Sequence, residues 1–532
     1  MKNGLRFSIL IFFICQLFLT KSSVSQTIYI QGSQSGLLSA DTIYVTGNVL
    51  VAESESLEIE AGTKVLFTGV FRFDVLGSFR AIGDITDWIN FEVSDTTGFS
   101  NPQSVRGAWD GFHFLQTTAQ SDSSVFEFCS FRYTKALGDS LQSFGGVFNI
   151  RNFSNIRIEN CLFKNNYAHH WGGALFGEFS DIMIHNTVFE ENNCGQAGPP
   201  YGYGGAVCFR YSQPYITSCI FNNNSSTGVG GGVSLEYSDA VLDANLFSNN
   251  FSALGGAFGY IRSTPEKPVT NNVFTQNQCM FFGGAIAFLR ANPLFLHNTV
   301  SYNSSWSYGG GIYFNDSAVP VLVNNIVYFN QAGEGQQVYI WDILSSPEFH
   351  NCNVEGGKEA FGGTGGIGYS AAYENNLDAD PVFAGNGEYP LSITSESPCV
   401  DSGSLLFINN YYPVSDFAGN PRISSDIPDI GAFEFQLVNK IFIPEITKKI
   451  HAFPNPFTEF INIASETSAL EDCIIEIYNS NGTQVFSAAI PSASYSYQWK
   501  GESYNGEILG KGIYFIRIIG KNTVNQLSVI KL

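Results

Sequence analysis

The sequence predicts an all-β chain: a parallel β-helix over most of its length, followed by a small C-terminal β-sandwich. Three observations predict it. A motif built on Asn and Phe recurs through the middle of the chain, a Gly-Gly-aliphatic step follows nearly every copy, and the last stretch changes to alternating apolar runs.

The repeat comes first, because its period decides the fold. Copies begin at Asn160, Asn186, Ser218, Ala244, Asn271, Asn298 and Asn325, separated by 26, 32, 26, 27, 27 and 27 residues, with a weaker copy from Phe128. The glycine steps are Gly145-Gly146, Gly172-Gly173, Gly204-Gly205, Gly231-Gly232, Gly255-Gly256, Gly283-Gly284 and Gly310-Gly311. Between them lie short β-rich runs such as Ile156-Arg157-Ile158, and no window carries a helical period. A unit of about 27 residues without helix fits one coil of three short strands, stacked on the next coil at about 4.8 Å. Stacking turns repeat positions into columns. Phe131, Phe163, Phe189, Phe221, Phe247 and Phe274, continued by Ser301 and Tyr328, form an interior column. Asn165, Asn192, Asn223, Asn249, Asn277 and Asn303 form a turn column, since Asn tolerates left-handed backbone and its amide can bond the next coil. Cys129, Cys161 and Cys219, exchanging with Thr187 and Thr299, read as small buried thiols. Whether two of Cys194, Cys208 and Cys279 form a disulfide stays open.

Composition agrees with a solenoid. Of 532 residues only 14% are charged while 47 are Phe and 54 Gly, against roughly 25% charged in ordinary soluble domains. The formal charge of −21 argues against a nucleic-acid partner. Lys2 and Arg6, the apolar run from Phe7 to Leu19 and the small residues Ser23-Val24-Ser25 read as a secretory signal peptide at 1–25. That run is too short for a bilayer span and no later stretch is long enough, so no transmembrane segment is expected in the mature chain.

The repeat spacing and glycine steps resemble right-handed parallel β-helix proteins, including the polymorphic outer-membrane repeat type. Trp109-Asp110-Gly111-Phe112 is similar to a step common early in such proteins. Ser397-Pro398-Cys399-Val400-Asp401, Gly419-Asn420-Pro421-Arg422 and Asp429-Ile430-Gly431-Ala432-Phe433-Glu434 resemble the terminal, choice-of-anchor-like segment of bacterial surface β-helices. Farther on, Pro454-Asn455-Pro456, Gly482 and Gly512-Ile513-Tyr514 occur in the order of the type A sorting domain of the type IX secretion system, which they resemble. That resemblance implies export through Sec and the type IX machinery to the cell surface or medium. The organisation is then a signal peptide at 1–25, an N-terminal cap and first coils at 26–120, repeats at 121–345, terminal coils and cap at 346–436, a linker at 437–450 and the sorting domain at 451–532.

Chemistry is less legible. Six residues after the first Gly of each pair stand Arg151, Glu178, Arg210, Tyr237, Ile261, Leu289 and Asp316. If these stack, Glu178 between Arg151 and Arg210 is either an ion ladder or a general acid–base group with arginine support. Trp171, Tyr203, Phe282 and Tyr308, with His169 and His170, precede the glycine steps and are candidate sugar-stacking residues. Asp401, Asp416, Asp429 and Glu434 are candidate oxygen ligands for Ca²⁺; no cofactor is otherwise expected. Three functions fit: a surface protein binding extracellular glycan or matrix and host partners, a polysaccharide lyase or hydrolase, and a structural spacer. Few Lys in the repeats favour binding over cleavage.

Overall fold

The computed structural model describes residues 26–436 and 450–531, apart from 119–120, 139–141, 197, 199–200, 406–411, 456, 466–472, 480–482, 491–495 and 520–523. The signal peptide and most of the linker, with Pro456 and Gly482, lie outside the described residues. The chain divides into two units, 1–437 and 438–532.

In the first unit every ladder between strands is parallel. A coil such as Leu175–Glu178, Met183–His185, Val188–Glu190 and Asn193–Cys194 pairs strand by strand with the next, Val207–Arg210, Tyr215–Thr217, Ile220–Asn222 and Ser225–Ser226. Backbone donors and acceptors therefore find partners in the neighbouring coil, the condition for burying a β-rich chain whose described helices are only the short turns Lys358–Ala360 and Gly363–Ile367. Inside, the Phe column stacks ring on ring: Phe163–Phe189, Phe189–Phe221, Phe221–Phe247 and Phe247–Phe274 have centroids 4.7, 4.9, 4.8 and 4.7 Å apart. Each is fully buried, worth about 1.5–3 kcal/mol per ring in transfer terms.

Three columns differ from the sequence reading by one residue. Phe274 is followed by Val300 and Val327, not Ser301 and Tyr328, which lie one position along. The Cys129–Cys161–Thr187–Cys219 column continues through Asn245, Asn272, Asn298 and Asn325, so Thr299 is outside it. The expected Asn column is two columns. Asn165, Asn223 and Asn249 hold left-handed backbone at φ 57, 55 and 57°. The buried ladder is Asn166, Asn192, Asn224, Asn250, Asn277, Asn303 and Asn330, in which each amide oxygen from Asn192 on accepts from the backbone and the amide nitrogen of the Asn in the coil before. All nine described cysteines are buried and free, so the open disulfide question closes on thiols. Burial pushes the thiol pKa up, in Cys194 and Cys208 alike.

The terminal segment departs from the cap expected of it. Coils run on to Tyr373–Glu374; from about Asp380 the chain turns back along the flank of the coils. There Ala432 and Phe433 pack on Val273, and Ile393, Cys399 and Ile430 pack on Ile326. The seam is polar as well. Arg422, fully buried, pairs with Glu434 at 3.0 Å and donates to Asn271 Oδ1 at 3.2 Å, while His297 bonds Tyr412 at 3.0 Å.

This seam has a pH signature. Burial pushes the Asp429 carboxyl up to about 7 and holds His297 well below its ordinary value. Asp429 binds its proton more tightly folded than unfolded, so its contribution is full below the unfolded value near 4 and is lost as pH rises to about 7. His297 stays neutral when folded, so its penalty grows as pH falls below about 6.5. From pH 7 to 5 the wild type is expected to lose stability relative to His297→Asn and to gain it relative to Asp429→Asn. Each slope is at most about 1.4 kcal/mol per pH unit, read from urea unfolding across the range.

In the second unit every ladder between the described strands is antiparallel. Ile450–Phe453, Ile461–Ser465 and Ser496–Trp499 make one sheet; Gln484–Ala489, Ile474–Asn479, Gly512–Ile519 and Val524–Lys531 make the other. Alternating residues Ile475, Ile477, Tyr514, Ile516 and Ile518 join Ile461, Ile463 and Trp499 in one core, the small sandwich expected.

Candidate functional site

The strand after each glycine step turns its last residue toward one outer face of the solenoid, where Arg151, Glu178 and Arg210 are half-buried and Glu236 is buried. There Arg151, Glu178, Arg210 and Glu236 stand in register in successive coils. Glu178 is held from both sides: one carboxylate oxygen contacts Arg151 and the other lies 3.7 Å from Arg210. Arg210 also lies 3.2 Å from Glu236, and Arg262 lies 3.5 Å from it. The sequence reading placed Tyr237 after Arg210 and Asp316 after Leu289. The structure places Glu236 and Asn315 there, because Gly230 and Gly309, not Gly231 and Gly310, take the left-handed first position at φ 69 and 64°.

The aromatic residues do form a column beside this ladder: Phe144, Trp171, Tyr203, then Val229 and Leu254, then Phe282 and Tyr308. The stripe is therefore interrupted at its centre. Two pairs lie face to face, Trp171 on Tyr203 at 5.7 Å and 10° and Phe282 on Tyr308 at 5.5 Å and 14°, while Phe144 meets Trp171 edge to face. Arginine covers two of the rings: Arg151 sits over Phe144 at 5.0 Å and Arg210 over Trp171 at 5.2 Å. His170 Nδ1 bonds Ser143 Oγ at 2.5 Å and His169 Nε2 faces the Pro102 carbonyl oxygen at 3.3 Å. A second aromatic stack went unread in the sequence. Phe179, Tyr211 and Tyr237 follow the ladder residues, stack at 5.0 and 4.9 Å, and remain exposed.

In the coil where the aromatic column shrinks to Leu254 the ladder position is Ile261, and the next two coils carry Leu289 and Asn315 there beside Phe282 and Tyr308. Along these shorter ladder residues lies a groove of about 510 Å³, running from Tyr203 and Glu236 to Trp341 and Asp342. Its floor carries Ile261 and Leu289; Arg262, Asp316 and Asp342 rim it, and Trp341, 46% exposed, closes one end.

The family described as a right handed beta helix region matches residues 116–274 and 230–380, and the secretion system C-terminal sorting domain matches residues 451–531. The chain is a right-handed β-helix protein with a secretion-sorting domain. No curated protein matches it. The sorting domain makes the chain a substrate of the type IX secretion machinery, exported to the cell surface or medium. In that domain Asn455 Oδ1 accepts from the Ile530 amide at 2.8 Å and Tyr514 donates to the Gly510 carbonyl at 2.8 Å, while Gly512 and Pro454 sit at the surface. Among the described residues no helix is long and apolar enough to cross a membrane.

The four carboxylates read as calcium ligands are engaged otherwise. Asp416 accepts from the amides of Asn420 and Glu434 at 2.7 and 2.9 Å, and Asp429 from those of Asp401 and Phe435 at 2.7 and 2.5 Å. Glu434 bonds Arg422, and Asp401 bonds the Ser425 hydroxyl. Among the described residues no group of three or more His, Cys, Asp and Glu is placed to hold a metal ion. In this β-helix these side chains fasten the returning segment to itself.

Proposed function

We propose that the exported β-helix binds an extracellular glycan chain along its outer face, seated in the groove between Tyr203 and Trp341. The groove carries this reading: an apolar floor with a polar rim and an exposed Trp at its end suits the amphipathic faces of a sugar chain. The rim sets Glu236, Asp316 and Asp342 against Arg262, on a chain of net charge −21, so a neutral glycan is favoured over a polyuronate. Binding is favoured over cleavage because both carboxylate oxygens of Glu178 already face guanidinium groups, whereas an acid–base residue must reach substrate.

The test is retention of the protein on xylan, mannan, pectin, alginate and glycosaminoglycan surfaces, with absorbance of unsaturated product followed in parallel. Trp341→Ala and Arg262→Ala are each expected to weaken binding to a neutral glycan by about tenfold or more. Glu178→Gln is expected to leave affinity within about twofold, with no product formed. No retention on any glycan, as a spacer would show, overturns the proposal. So does product release abolished by Glu178→Gln, which would make the chain an enzyme.

A further inference from the structure

A second cavity lies away from that face, where the returning segment meets the flank of the coils. It measures about 650 Å³. Tyr302 and Phe329, from adjacent coils, stack at 5.1 Å, and Phe383 of the returning segment reaches both at 6.4 Å. Tyr389 adds a fourth ring to the lining. The charged lining residues are Asp380 and Glu388; among the described residues no Lys, Arg or His lines the cavity. Both carboxylates are exposed, and Asp380 uses one oxygen to accept from the Val382 amide at 2.9 Å.

Aromatic faces attract cations through their quadrupoles, and two carboxylates without a cationic neighbour add a field of the same preference. An apolar cavity of this size admits a small organic ligand. We propose that this cleft is a binding site for an organic cation: an alkylammonium group with an aliphatic body, free or presented by a partner molecule. The site is independent of the glycan groove, since none of its lining residues belongs to the charged ladder, the aromatic columns or the groove.

The experiment is titration of the full chain by calorimetry with choline and with its uncharged isostere 3,3-dimethyl-1-butanol. Choline is expected to bind saturably and the isostere at least about tenfold more weakly. The double variant Asp380→Asn/Glu388→Gln, which keeps size and hydrogen-bonding shape, is expected to lose choline binding by about tenfold or more. Trp341→Ala is expected to leave it unchanged, which separates this site from the glycan groove. Equal binding of choline and isostere, full binding in the double variant with an unaltered unfolding profile, or no choline binding at millimolar concentration each overturns the proposal.

Discussion

Asn250→Ala is expected to destabilise the β-helix by about 3–6 kcal/mol, while Asn249→Ala, one residue away, costs about 1 kcal/mol or less. The side chain of Asn250 is fully buried. Its oxygen accepts from the backbone nitrogen and the amide nitrogen of Asn224 at 3.0 and 3.1 Å, and its own amide donates to the Phe221 carbonyl at 2.8 Å. Truncation removes the Asn250 partner of the Asn224 backbone N–H, of one Asn224 amide hydrogen and of the Phe221 carbonyl, each at about 1–3 kcal/mol. Asn249 is exposed, and its left-handed φ of 57° is one that Ala adopts with modest strain. Urea unfolding of the two variants checks the difference. Comparable losses would mean that the buried amide ladder is not what ties coil to coil.

Gly256→Ala is expected to be worse, at about 4 kcal/mol or more, the range reserved for substitutions that break the backbone arrangement. A Cβ at Gly256 would stand 2.1 Å from the Gly284 carbonyl oxygen and 2.5 Å from that of Gln278. Both obstacles are backbone of the adjacent coil, so no side-chain movement relieves them. Gly284 repeats the geometry, with its Cβ position 2.1 Å from the Gly310 oxygen. The close approach is what allows the Gly256 amide to bond the Gly283 carbonyl at 3.0 Å and the coils to close up. In a solenoid the damage should be local. Limited proteolysis is expected to open sites near residues 250–285, whereas wild-type resistance there would show that the spacing tolerates a methyl group.

The period, the fold and the sorting domain were legible because stacked coils put one residue type at one place many times. What misled was doubling. Where Asn-Asn or Gly-Gly-Gly occurs, a one-residue slip preserves the motif but changes the column. Asn249 and Asn250 look alike in sequence, yet one turns the chain and the other ties the coils. The same slip hid Glu236 behind Tyr237, so the alternating charge read at Arg151, Glu178 and Arg210 stopped one coil short. The groove was illegible for a different reason: it lies over the uncharged residues Ile261, Leu289 and Asn315, in a column noticed for its charged ones. The returning segment was read as a cap because nothing in its sequence states which coils it packs against. Its carboxylates suggested a metal, where the fold uses them to hold amides and Arg422.

The most direct measurement is hydrogen exchange of the whole protein with and without the neutral glycan it retains best. Protection is expected along the groove, at residues 236, 261–262, 289–290, 315–317 and 341–344, and not at Phe179, Tyr211 and Tyr237. Protection confined to the Phe179–Tyr211–Tyr237 stack, or to the Tyr302–Asp380 cleft, with the groove unchanged, would contradict glycan binding between Tyr203 and Trp341.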